Sequence, residues 1–487
     1  MSEPASPVPR KFDSNLVVIG AGSAGLVTAY VAAAAKAKVT LIEREKMGGD
    51  CLNTGCVPSK AIIRSAKVAA YIQRANEFGL AAGPLRVDFP QVMRRVHDVI
   101  AKVEPHDSVE RYTSLGVDCV SGSARIMSPW TVEVDGRTLT TRSIVIATGG
   151  RPFVPPVPGL ADTGYVTSDT IWQLKALPRR LLVIGGGPIG CELAQAFARL
   201  GSEVTQVEKG PRLLSREDPA VSETLAARFG AEGIRVLTGY AAERFEQQNG
   251  EKIAVCTGAD GEQRVSFDEV LVAVGRRANT DGLEIGNAGL ELNQNGTIPV
   301  NEYLQTSQPH ILACGDVTGP YQLTHAAGFQ GWFCAMNALF GSIKRFKVNY
   351  SVMPWAVFTD PEIGHVGMTA ADAEAQGIPY EITEYGIDDL DRAIADSEAH
   401  GFVKIVTKKG SDRILGATVV GYHAAELITE YVTAMKYGMG LRKILNTIHI
   451  YPTLAEANRY AAGNWQKARI SPLALKIAAR FHRWRRG

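Results

Sequence analysis

One pattern occurs twice in this chain and restricts its fold more than any other feature. Residues 15–20, NLVVIG, read as a buried strand that runs into GAGSAG (Gly20, Gly22, Gly25) and then into an Ala-rich helix. A second strand, KVTLIE, follows and ends at Glu43. Residues 181–186, LLVIGG, begin the same arrangement again. GGGPIG (Gly185, Gly187, Gly190) leads into the helix CELAQAFARLG and the strand EVTQVE, which ends at Glu208. In both units the acid stands 23 positions after the first glycine. A glycine box alone says little. Set between strand and helix, with an acid about 20 residues on, it specifies a βαβ unit built around a dinucleotide. The glycines permit a tight turn and let the backbone approach a pyrophosphate. The helix N-terminus contributes N–H groups and the positive end of its dipole. The acid accepts from a ribose hydroxyl pair. A βα turn without a ligand is the alternative, and two copies with matched spacing argue against it.

Two such units imply two dinucleotides. At the second, Glu208 would repel a 2′-phosphate, and the third glycine is Gly190 rather than Ala. Both favour NADH over NADPH, with Lys209 and Arg212 close by pulling the other way. A length of 487 residues exceeds one core and fits three or four domains of about 100–200 residues. With 45% hydrophobic and 21% charged residues, the chain is neither disordered nor fibrous. The opening MSEPASPVPRKFDS lacks the apolar run of a signal peptide. No apolar stretch of about 18 residues is present, so no bilayer-spanning helix is expected. A cytoplasmic protein with no nucleic-acid partner is the expectation.

Of seven cysteines, Cys119, Cys191, Cys256, Cys314 and Cys334 are scattered and read as structural thiols. Cys51 and Cys56 lie together in GGDCLNTGCVPSK, residues 48–60. Five residues of helix rise about 7.5 Å, beyond the roughly 4.4–6.8 Å between disulfide Cα atoms. To pair, the chain must therefore loop at Leu52-Asn53-Thr54-Gly55. Pro58 fits a first helical turn, which puts Cys56 just before it, at the positive helix end that lowers thiol pKa. In a reducing compartment the usual role of such a pair is transient and catalytic. A metal clip or two inert thiols are the alternatives. A clip needs about four ligands, and no second Cys/His pair is placed nearby.

The remaining punctuation is specific. ATGGRPFVPPVPG (147–159) and VGRRANT (274–280) are connectors after strands, and ILACGDV (311–317) ends a strand at Gly315 and Asp316. From about Tyr350 the texture turns to alternating strands, in PWAVFTDPEIGHVG, GFVKIVT and ILGATVVG. With GGDCLNTGCVPSK, both glycine boxes and YPTLAE, the chain resembles the pyridine nucleotide-disulfide oxidoreductases over roughly residues 14–465. These include glutathione reductase, dihydrolipoyl dehydrogenase and mercuric reductase, and the last branch is the most similar.

The resemblance implies an α/β fold with two Rossmann-like dinucleotide-binding domains, for FAD and NAD(P), and a C-terminal α+β dimerisation domain. The expected boundaries are 14–158 (FAD), 159–281 (NAD(P)), 282–349 (FAD, return), 350–465 (dimerisation) and 466–487 (tail). By resemblance FAD would be held by Gly20, Gly22, Gly25, Glu43, Gly49, Lys60, Thr148, Gly149, Gly315 and Asp316. NAD(P)H would lie on Gly185, Gly187, Gly190, Glu208 and Gly275. Glu192 resembles the acid that pairs with the lysine near the flavin, here Lys60. NADH would reduce the flavin, and the flavin would open a Cys51–Cys56 disulfide. Cys56 would face the flavin as a thiolate in a charge-transfer complex, while Cys51 exchanges with the acceptor. A homodimer is likewise implied.

Three departures stand out. Asp50 replaces the family's usual Thr before the first cysteine. It raises the Cys51 pKa if the two groups are close, and does nothing if it points away. In HIYPTLAE (449–456), Tyr451 takes the place of the acid/base His of dithiol reductases, while Glu456 is kept. Tyrosine, with a pKa near 10, is a poor base at neutral pH. His449 would point the same way as Tyr451 in a strand, and is either a substitute base or structural. Mercuric reductases have a Tyr in this region but end in a vicinal cysteine pair, absent here after Cys334. No resident metal site is expected. The acceptor stays open among a metal ion such as Hg(II), a small disulfide and a quinone. Dihydrolipoyl dehydrogenase is the alternative activity, and a non-catalytic, nucleotide-bound regulatory or membrane-docked protein is the alternative of another class.

The tail, residues 466–487, carries seven of the 52 Lys and Arg and no acid. Leu473, Ile477, Phe481 and Trp484 fall on one helical face. Such a helix either packs on its own domain or the other subunit, or lies on an anionic membrane surface.

Overall fold

The computed structural model describes residues 8–487. These residues form two compact units, one from the segments up to 76, 80–210 and 233–349, the other from 77–79, 211–232 and 350–487.

The first unit contains two parallel sheets. One has five strands in the spatial order Ile311–Ala313, Ile144–Ile146, Leu16–Ile19, Val39–Glu43 and Val117–Ser121. Leu16–Ile19 is buried throughout, as a central parallel strand covered on both faces must be. Helix Ser23–Ala34 leaves it and packs on helix Thr324–Phe340 through small residues. The Thr28 hydroxyl donates to the Gly331 carbonyl at 3.1 Å, and a Cβ on Gly331 would sit 2.5 Å from the Ala24 carbonyl oxygen. The other sheet orders Arg235–Thr238, Glu203–Glu208, Arg180–Ile184 and Glu269–Val272, all parallel. Each sheet reverses its strand order beside the strand that feeds a glycine box. In a doubly wound sheet, ligands bind at that switch point, outside the carboxyl ends of the strands.

The two connectors pair with each other. Gly150–Pro152 and Arg276–Ala278 form an antiparallel ribbon, so the chain leaves and returns side by side. Two three-stranded antiparallel meanders, Ala124–Thr140 and Tyr240–Phe267, complete this unit.

The second unit is a five-stranded antiparallel sheet. Its spatial order is Pro354–Val357, Glu362–Gly367, Ile414–Gly421, Phe402–Lys408 and Tyr380–Gly386. Helices Ala424–Lys436 and Glu456–Ala468 supply Tyr431 and Trp465 to its core, both fully buried. No helix among the described residues is long and apolar enough to cross a membrane.

Candidate active site

The segment before the cysteines is shaped by two glycines with positive φ, Gly48 (84°) and Gly49 (57°). That region favours glycine. The Gly48 N–H donates to the Ala21 carbonyl at 3.0 Å, and a Cβ on Gly49 would lie 2.7 Å from the Gly22 Cα. The cysteine loop is thus laid directly on the first glycine box. A short helix, Gly49–Asn53, carries Cys51. It stops where the Asp50 carbonyl, already bonded in helical register by the Thr54 N–H at 2.8 Å, also takes the Gly55 N–H, one residue out of register, at 2.7 Å. A new helix, Cys56–Gln73, starts at once. The break falls at Thr54-Gly55 alone rather than over all four residues, and Cys56 is the first helical residue rather than the one before it.

The break brings the two thiols into contact. Contact with Cys51 is the main reason the Cys56 thiol is lowered to about 6. The Thr324 hydroxyl, 3.3 Å from its sulfur, and the Lys60 charge act the same way, against the effect of burial. Contact with Cys56, then burial, pushes the Cys51 thiol far up. The Lys60 charge thus draws the negative charge of the reduced pair towards Cys56. One turn on, Lys60 Nζ donates to Glu192 Oε2 at 2.9 Å, with the Glu192 side chain 7% exposed. This ion pair joins the cysteine helix to the helix of the second glycine box, Pro188–Leu200.

Asp50 is firmly held. Its carboxylate accepts from the Thr54 hydroxyl and from Arg276 Nη2, each at 2.7 Å. It adds only a lesser upward push to either thiol. Arg276 also donates to the Gly150 carbonyl at 2.8 Å and lies 3.4 Å from Asp316. Burial works against its charge, but Asp50, Asp316 and Asp169 outweigh that and hold it protonated. Burial in turn raises the carboxyls of Asp169 and Asp316. Trp172 steadies the break, its one indole N–H shared between the Ser168 carbonyl at 2.7 Å and the Thr54 carbonyl at 2.8 Å. Sequence reasoning missed Arg276 and Trp172. For Arg276 a signal existed: an acid in place of Thr asks for a cation, and VGRRANT offers two.

The glycine boxes are built alike. A Cβ on Gly20 or Gly185 would strike the Ala147 or Ala273 carbonyl oxygen, at 2.5 and 2.3 Å. A Cβ on Gly25 or Gly190 would strike the carbonyl oxygen of the first glycine of its own box, at 1.8 and 2.3 Å. Glu43 accepts from the N–H groups of Ala21 and Glu45, and Glu208 from those of Gly186 and Gly210. No side chain caps either helix, at Gly22 or at Gly187. Uncapped N-termini beside backbone cradles that a Cβ would fill are what dinucleotide pyrophosphates fit. Thr148, Gly149 and Gly275 lie in the connectors. The Thr148 hydroxyl donates to the Asn279 carbonyl at 2.6 Å, the Asn279 N–H to Gly149, and the Phe153 N–H to Gly275 at 2.9 Å. The Gly315 N–H donates to Gln330 at 2.6 Å, placing Asp316 beside Arg276.

The other three candidates belong to the second unit. Residues 448–451 form no strand, so His449 and Tyr451 do not share a face. The His449 side chain is 6% exposed and turned onto Glu430 at 3.0 Å. Tyr451 is exposed, and its hydroxyl donates to Asp391 at 3.0 Å. That bond raises its pKa further, so it stays a phenol. Glu456, buried at the start of helix Glu456–Ala468, accepts from the Thr453 N–H at 3.2 Å.

A family model for pyridine nucleotide-disulphide oxidoreductases matches residues 14–331, and that of the family's dimerisation domain matches residues 353–462. A dihydrolipoyl dehydrogenase of Chlamydia muridarum is 36% identical over 90% of this chain and 94% of its own. A mercuric reductase of Staphylococcus aureus is 34% identical over 94% of this chain and 83% of its own. Among solved structures, LpdA of Mycobacterium tuberculosis superposes with a TM-score of 0.84 at 27% identity, covering 93% of this chain and 99% of its own. RclA of Escherichia coli, a HOCl-induced flavoprotein disulfide reductase, gives 0.82 at 27% identity over 92% of this chain and 99% of its own. With paired glycine boxes, a C-terminal antiparallel sheet and matches along nearly its whole length, this chain belongs to the pyridine nucleotide-disulphide oxidoreductases, a family of FAD-binding flavoenzymes.

Proposed function

We propose that this protein is an NADH-dependent flavoprotein reductase in which Cys51 and Cys56 pass electrons to a soft acceptor: a metal ion, a small disulfide or a quinone. The observation that carries this is the thiol contact across the Thr54-Gly55 break, with the charge drawn to Cys56. FAD, bound on the first glycine box, would supply the two-electron link between nicotinamide and disulfide. The reductive half balances without a further proton: NADH and the disulfide give NAD⁺, a Cys51 thiol and a Cys56 thiolate. The S–S bond breaks, and the hydride's two electrons and proton are all accounted for. Thr324 and Lys60 stabilise the thiolate, and Glu192 orients Lys60. As Cys51 bonds the acceptor, its proton passes to the acceptor's leaving group or to solvent. The Cys56 thiolate then attacks the Cys51 sulfur, so that the disulfide re-forms and two electrons leave with the acceptor, a small disulfide departing as a thiol and a thiolate.

Glu208 at the second box supports NADH over NADPH, because its carboxylate would meet a 2′-phosphate. Tyr451 argues against efficient dihydrolipoyl dehydrogenase activity: a phenol that donates to Asp391 cannot serve as a base. A thiophilic metal ion as acceptor draws support from the mercuric reductase relatives and from a solved Cu(II) complex of RclA. The dimerisation domain supports a homodimer, and the reducing chemistry suits the cytoplasm.

The test is anaerobic. The holoenzyme is titrated with NADH, quenched with iodoacetamide and mapped by mass spectrometry. Labelling of both Cys51 and Cys56 only after NADH, with loss of acceptor reduction in Cys51→Ser and Cys56→Ser, is the expected result. Acceptor reduction that survives both substitutions would place the chemistry on the flavin alone.

A further inference from the structure

The packing of the C-terminal unit ends abruptly. Trp465 is 1% exposed, with the Arg469 guanidinium 4.2 Å from its ring centroid and that of Arg442 at 5.7 Å. Arg469 pairs with Glu381, and Asn464 donates to the Glu384 carbonyl at 2.9 Å. Past Arg469 these contacts stop. Helix Pro472–Arg486 buries no residue. Leu473, Ile477, Phe481 and Trp484 are 66%, 61%, 48% and 75% exposed. At about 100° per residue those four fall within an arc of roughly 80°. Lys476, Arg480 and Arg483 line one flank of the arc, and Arg485 lies beyond the other. From Ala457 to the C-terminus there is no acid.

We propose that helix Pro472–Arg486 docks the protein on an anionic membrane surface. It lies in the plane of the interface, with Leu473, Ile477, Phe481 and Trp484 among the acyl chains and the flanking arginines on lipid phosphates. A helix of 15 residues is about 22 Å long, too short for a hydrocarbon core of about 30 Å. Stripe and flanks are what an interfacial helix requires: apolar area to insert and cations to meet the headgroups. A second copy of the helix fits poorly. Isologous pairing along the stripe would set five cations against five with no acid on either helix. The proposal does not depend on what Cys51 and Cys56 reduce.

The test uses the full-length holoenzyme, sedimented with vesicles of phosphatidylcholine alone or with about 30% phosphatidylglycerol, in about 0.1 M salt. The bound fraction should be about tenfold higher on the anionic vesicles and fall as salt is raised. Deletion of 471–487 and the double substitution Ile477→Glu, Phe481→Glu should each abolish binding while FAD content and NADH-driven thiol labelling stay intact. Failure of the intact protein to bind anionic vesicles would overturn the proposal, as would binding retained by the deletion. A change in oligomeric mass on deletion would overturn it too, by showing the stripe to be a subunit contact.

Discussion

The two glycine boxes share a backbone and differ in what lies over them. Each first glycine donates its N–H to the neighbouring strand, Gly20 to Ile42 and Gly185 to Val207, both at 2.8 Å. Each acid draws in the N–H that follows its box's first glycine. At the middle glycine the likeness ends. Gly22 is approached by the cysteine loop, whose Gly49 stands 4.0 Å from where a Gly22 Cβ would be. Gly187 has no described atom within 4 Å of its Cβ position. One box is closed over by the redox segment and the other is open. That suits a group held through many turnovers in the first and one exchanged at every turnover in the second.

The largest expected effect tests the closed box. Gly49→Ala adds a Cβ 2.7 Å from Gly22 at a φ of 57°. It should cost about 3 kcal/mol and strip most of the FAD, read by visible absorbance and thermal melting. Next is the anchor of the redox segment. Arg276→Met leaves Asp50 and Asp316 without their cation and should cost about 2 kcal/mol in urea unfolding. That is below the roughly 3–5 kcal/mol of a fully buried pair, because the Asp50 side chain is 37% exposed. Asp50→Asn should cost less.

Gly187→Ala probes the open box. No described residue opposes the added methyl, so melting and FAD content should stay unchanged while the KM for NADH rises about tenfold. Equal flavin loss in Gly49→Ala and Gly187→Ala would show that the two boxes hold the flavin alike. The smallest effect concerns what the closed box presents. Cys56, lowered to about 6, should be alkylated in the reduced enzyme at a rate that climbs as pH rises through about 6, not near 9. Thr324→Val removes one source of that lowering and should move the midpoint to higher pH.

Much of this arrangement can be read from local pattern. Strand, glycines, helix and acid at fixed spacing define each βαβ unit before any contact is known, and two cysteines five apart announce a broken helix. What could not be read depends on chain segments meeting. Asp50 gains meaning only when Arg276, 226 residues away, returns beside it. His449 and Tyr451 look equivalent by period-two spacing, but without a strand one turns inward to Glu430 and the other outward to Asp391. Trp172 reaches the Thr54 carbonyl across 118 residues, and no local pattern encodes that bond.

The ribbon of Gly150–Pro152 against Arg276–Ala278 has a consequence for how the chain is wired. Paired strands lie about 4.8 Å apart, so the long excursion between them starts and finishes at nearly one point. To the host sheet it is a cassette on a single plate, tied also to the cysteine segment through Trp172 and Glu192. Lengthening, trimming or exchanging the cassette changes the closure entropy only slowly with length, while the plate keeps Arg276 within reach of Asp50. Nucleotide preference can therefore be redrafted inside the cassette as long as Trp172 and Glu192, which reach the cysteine segment from within it, keep their places.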